Sequence, residues 1–191
     1  DSDALVLGAS TFNGTLDITT NGALTQNGAL TVGGAATLAS GSYDITLIDA
    51  GNDFNSVSIT GGNHVSLRDT NALRLATSTT TGNLHADAGT LTIGGALTSS
   101  GGNLTLTGVN SATQLAHLSV TGAHTITVTA PSGPLTMAPT ATSTSDTGAI
   151  AYAAGADITL GSLHTGTGVN VMSSGGSVSS ASGSGMNITA C

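Results

Sequence analysis

Along the chain, apolar residues alternate with Thr, Ser, Asn or Asp in short runs. Leu16-Asp17-Ile18, Leu30-Thr31-Val32, Ile45-Thr46-Leu47, Val57-Ser58-Ile59 and Val65-Ser66-Leu67 open the series. Leu91-Thr92-Ile93, Leu104-Thr105-Leu106, Leu118-Ser119-Val120, Ile126-Thr127-Val128, Ile158-Thr159-Leu160 and Val169-Asn170-Val171 continue it. A period of two over three to five residues, bounded by Gly, Asn, Asp or Ser, predicts short strands with one buried face. No stretch keeps a 3.6-residue period, and Gly at this frequency works against helices. The pattern predicts an all-β chain.

The strands recur at an interval that selects the architecture. Gly62-Asn63, Gly82-Asn83 and Gly102-Asn103 are evenly spaced, and Gly22 and Gly122 fall on the same grid. A sandwich has irregular strand spacing, and a propeller blade needs about 40–45 residues. The interval here, about 20 residues, suits one coil of a parallel β-solenoid, with about three short strands per coil and coils stacked ~4.8 Å apart. One strand column runs through Leu24, Ile45, Val65, Leu84, Leu104, Ile126, Ile150, Val169 and Ile188. It predicts about nine or ten coils, a rod of about 45 Å. The repeated Gly-Asn is expected to mark a corner. Each glycine would take a left-handed bend there, and Asn63, Asn83 and Asn103 would stack as a ladder of side-chain amides. Pro131, Pro134 and Pro139 point to a loop leaving the stack, or a distorted coil, over 131–148.

Composition narrows the function classes. Only 6% of the 191 residues are charged, against about 25% in ordinary domains. There is no Lys, Glu or Trp, and the formal net charge is −8. Such a chain offers no clustered cations for nucleic acid or an anionic membrane. No apolar run approaches the ~20 residues of a spanning helix, so membrane insertion is not expected. Recurrent aliphatic residues argue against disorder. Cys191, the single cysteine, excludes an internal disulfide and leaves an intermolecular bridge open. The chain begins at Asp1 without a signal peptide and reads as one repeat segment, 1–191, of a longer protein.

Candidate chemistry is sparse. Asp49, Asp69 and Asp87 follow Leu47, Leu67 and Ala86 closely and could stack on one flank around a Ca²⁺. The competing reading is three solvated turn caps. His64, His85 and His124 lie near one column, but their phases differ, so they do not converge on a metal. Thr46, Ser66, Thr105 and Thr127 form an outward hydroxyl row, broken by His85, Ala151 and Asn170, too irregular for an ice-binding face. Nothing aromatic is placed to stack on a sugar. Asn13-Gly14-Thr15, Asn103-Leu104-Thr105 and Asn187-Ile188-Thr189 are sequons that chance supplies in so Asn- and Thr-rich a chain. No catalytic residues, cofactor or metal are assigned.

Residues 22–75, which include "GALTVGG" and "GNDFNSVSITGG", resemble the repeats of filamentous-haemagglutinin-type exoproteins of bacterial two-partner secretion. A second copy of the stretch at 3–30 is read at 71–108. The likeness covers about 1–130; the Ser/Gly-rich tail shares only composition. It implies a right-handed parallel β-helix forming the stem of a secreted or surface-attached adhesin on a Gram-negative cell. Its partners would be an outer-membrane transporter during secretion, and host cells or other bacteria through the parent protein. The Asn-Pro motifs of that family's secretion domain are absent, which suits a shaft. Exposed end coils predict end-to-end self-association. The alternative is a glycan-binding or glycan-cleaving β-helix.

Overall fold

A computed structural model describes residues 3–183 and 187–190. Cys191, with its expected intermolecular bridge, lies outside them. The described residues form 23 strands and no helix. Every strand pairing is parallel, and the chain winds into about nine coils of three strand columns around one core.

The first column runs Leu5, Leu24, Ile45, Val65, Leu84, Leu104, Ile126, Ile150, Val169. Eight of the nine expected positions are there. Ile188 is not: it pairs with Leu163 in the third column. Coil length varies: the coil from Val65 to Leu84 is among the shortest of the column, and that from Ile126 to Ile150 is the longest. The longest coil contains Pro131, Pro134 and Pro139, and here the expectation of a departing loop is corrected. Leu135 pairs with Ala112 and Ile158, and Ser143 with Leu118 and Leu163. The prolines fall outside the strands, where no ladder N–H is needed, so the coil is longer but stays in the stack.

Inward positions form one continuous cluster from Leu16 to Leu163, almost all fully buried. With stacked coils each touching only its neighbours, burial of these aliphatic side chains is the principal stabilising term. Two corners change shape along the rod. Leu30–Ala39 and Asp53–Gly61 run straight from the second column into the third. Leu84–Ile93 and Leu104–Gln114 run from the first into the second, with a register break at Ala88/Thr90. Elsewhere these corners are open turns. The two stretches read from sequence as copies, at 3–30 and 71–108, are not equivalent in space. Leu5 lies in the first column, whereas Leu73 pairs with Leu91 in the second.

Candidate functional site

The regular glycine grid does not map onto one corner. Over the middle coils, the residues just before the first-column strands are Asp44, His64, Asn83, Asn103 and Thr125. Asn63 and Gly62 therefore sit one place earlier than Asn83 and Gly82, because the coil from Val65 to Leu84 is one residue shorter than the coils on either side of it. The ladder at this corner is of another kind than stacked amides. Asp44 Oδ1 accepts the His64 N–H at 3.0 Å, and His64 Nδ1 accepts the Asn83 N–H at 3.1 Å. Asn83 Oδ1 accepts the Asn103 N–H at 2.8 Å, and Asn103 Oδ1 the Thr125 N–H at 2.7 Å. Each side chain thus holds the backbone of the next coil, one acceptor per coil whatever its type. Asn63 lies beside the ladder and donates to Asp44 Oδ1 at 3.0 Å.

The expected left-handed bend is corrected at Gly62, Gly82 and Gly102, and at Gly102 glycine is required instead for close approach. None of these three has positive φ; Gly122 does, at 69°. A Cβ on Gly102 would lie 2.2 Å from the Asn83 nitrogen and the Gly82 carbonyl carbon. The coils pass too near for a side chain.

Polar groups also enter the core, and the alternation gave no sign of two clusters of them. Asn52 Oδ1 accepts Leu30 N–H at 2.9 Å and Gln26 Nε2 at 2.8 Å, and its amide donates back to Gln26 Oε1. Further along, the Tyr152 hydroxyl donates to Gln114 Oε1 at 2.5 Å and lies 2.6 Å from Ser143 Oγ. Complete burial pushes the Tyr152 phenol far above its ordinary range. Among the described residues no buried side-chain polar atom lacks a partner, so these clusters are satisfied plugs in the core.

Asp49, Asp69 and Asp87 do not form a stacked site. Asp49 Oδ1 caps the Gly51 N–H at 2.8 Å. Asp69 is buried, not a solvated cap: Oδ2 accepts Phe54 N–H at 2.6 Å and Oδ1 accepts Asn71 N–H at 2.9 Å. Desolvation is the largest influence and holds its carboxyl above the usual value, with the two amides pulling the other way. Asp87 turns to His85, with Oδ2 2.9 Å from Nε2. Among the described residues no three His, Cys, Asp or Glu side chains gather as a metal site.

The outward rows follow the same register. Thr25, Thr46, Ser66, His85, Thr105, Thr127, Ala151 and Asn170 face out from the first column. The second column carries a row the sequence reading missed: Thr92, Thr113, Thr136, Thr159 and Ser179, in consecutive coils without a break. It was legible only once Ile93, Gln114, Met137 and Leu160 could be aligned across coils of unequal length.

Two hollows lie where the first column turns into the second and on the outer face of the first column. One hollow, of about 470 Å³, is lined by Arg68, Asp69, Asp87, Thr107, Val109 and Asn110, among others. A second, of about 300 Å³, includes Thr46, Ile48, Ser66 and His85 and shares Arg68 and Asp87 with the first. The two adjoin as one groove across four coils. Arg68 carries no signal in the sequence, since one cation on an outward strand position makes no motif.

No curated protein and no solved structure matches the chain. The profile of one family, repeats of unknown function (DUF5649), matches residues 1–60 and again 62–110. The two matches begin about three coils apart. Together they span more than half of the sequence, and the chain belongs to the DUF5649 family of repeats of unknown function.

Proposed function

We propose that the chain is a length of stem in a large secreted or surface-attached bacterial exoprotein, holding binding domains away from a Gram-negative cell. The observation that carries this reading is the unbroken core, which passes from coil to coil with no interruption. Such a stack resists bending because each added coil repeats the same ladder and burial. Its partners in this reading are an outer-membrane transporter during secretion, and host cells or other bacteria through the rest of the protein. Resemblance to filamentous-haemagglutinin-type repeats supports it, as does a chain with little charge and coils that can fold one after another. Catalysis forms no part of this role.

Protease treatment of intact producing cells tests the reading, with antibodies raised against residues 3–183. Cleavage on intact cells, or recovery of the segment in the medium, is the expected result. Protection in intact cells with cleavage only after lysis overturns it. Small-angle scattering of the purified chain is expected to give a rod about 45 Å long, from about nine coils at ~4.8 Å.

A further inference from the structure

The chain has two guanidinium groups, and they are treated differently. Arg74 Nη2 donates to the Gly94 carbonyl at 3.2 Å. Arg68 is exposed, and among the described residues no hydrogen bond or ion pair engages its guanidinium. It stands where the two hollows of the groove meet.

Neither carboxylate of the groove is ion-paired with it. Both oxygens of Asp69 are taken by the Phe54 and Asn71 amides. Asp87 is the ladder neighbour of Arg68, yet its Oδ2 is turned to His85. The formal charge of −8 is spread over the rod, and exposed charges beyond about 10 Å are largely screened at ordinary salt. Locally the groove offers a free planar cation, an imidazole–carboxylate pair, and the hydroxyls of Ser66, Thr70 and Thr107. Ile48 and Val109 are exposed apolar side chains along it. Each hollow is within the size range of small-molecule sites, about 300–1,000 Å³.

We infer that this groove binds a carboxylate-bearing oligosaccharide, its acid group paired with Arg68. A guanidinium presents two parallel N–H donors that match a carboxylate. Ring hydroxyls would meet the free oxygen of Asp87, the Asn110 amide and the threonines, while Ile48 and Val109 lie against C–H faces. No Phe, Tyr or Trp lines either hollow, so stacking on a large ring contributes nothing. Selection therefore falls on the charge, and a neutral sugar is a poor ligand. The inference stands apart from the stem reading, since a stem without a ligand is still a stem.

Titration of the 191-residue chain with tri-galacturonate, in low salt with EDTA, tests it by calorimetry or NMR. Saturable binding is expected, with galactotriose about tenfold or more weaker, the scale of one charge-assisted pair. Arg68→Gln is expected to lose about tenfold, Arg68→Lys less, and Arg74→Gln nothing. Equal binding of the neutral sugar overturns the inference, and so do full binding by Arg68→Gln, binding that appears only with Ca²⁺, and no detectable binding. Should Arg68→Gln fail to fold, the comparison of acidic and neutral sugars on the native chain decides alone.

Discussion

Asn83 Oδ1 accepts the backbone N–H of Asn103, one coil along the stack, at 2.8 Å. Asn103 repeats the contact with Thr125. Removing such an acceptor leaves an N–H at a corner with no partner of its own chain, at a cost of about 0.5–1.5 kcal/mol. Asn103→Leu is therefore expected to lower the thermal midpoint, and Asn103→Asp, which keeps an acceptor, to restore most of it. Asn13→Leu, at an exposed position outside the ladder, serves as the reference. Equal midpoints for the Leu variants at 13 and 103 would remove the ladder from the stability account.

The contrast between column and corner explains what was readable in the sequence. Period-two alternation fixes which residues face inward, and a parallel ladder tolerates coils as unequal as those closed by Val65–Leu84 and Ile126–Ile150. The column from Leu24 to Val169 was therefore legible despite uneven steps. Corner residues depend on absolute register, and a coil one residue short moved Asn63 out of line and put His64 in its place. Ile188 failed for a related reason: equal spacing cannot tell three columns apart. The Gln26–Asn52 and Gln114–Tyr152 plugs, and the groove at Arg68, arise from how individual corners open or tighten. No local pattern encodes that.

Tyr152→Phe tests the larger plug. Its hydroxyl bonds Gln114 Oε1 inside a fully buried site, and Ser143, at 3.4 Å from the same oxygen, is a weaker substitute. Loss of the hydroxyl leaves Gln114 underserved, with an expected cost of about 1–3 kcal/mol. Urea denaturation reads this directly. The double variant Tyr152→Phe with Gln114→Leu is expected to recover part of the loss, because apolar replacement of both partners removes the orphaned group. No recovery would indicate that packing, not the hydrogen bond, dominates the site.

Gly102→Ala separates close approach from backbone freedom. The added methyl would meet backbone atoms at 2.2 Å, which the coil below cannot yield without shifting. Overpacking of this kind costs about 1–3 kcal/mol. At Gly82 the obstructing atoms belong to the His64 and Asn63 side chains, which can turn aside, so Gly82→Ala is expected to cost less. Gly14 has open space, and Gly14→Ala is expected to change stability by no more than a few tenths of a kcal/mol. The order of melting temperatures, Gly14→Ala above Gly82→Ala above Gly102→Ala, checks the geometry.

Asp69 and Asp157 titrate in opposite directions. Desolvation raises Asp69 above the ordinary 3.8, whereas Ser177, donating its N–H at 2.8 Å and its hydroxyl at 3.1 Å, lowers exposed Asp157. The folded chain thus holds a proton on Asp69 more tightly than the unfolded chain does. That contribution to stability is fully present below 3.8 and is lost as pH rises through the folded value. Asp157 contributes above 3.8, and its share is lost as pH falls through its own, lower value. Carboxyl ¹³C titration of the folded protein is expected to place the Asp69 midpoint above 3.8 and that of Asp157 below it. An Asp69 midpoint below 3.8 would mean that the amides of Phe54 and Asn71 outweigh burial there, and its part of the acid dependence would then change sign.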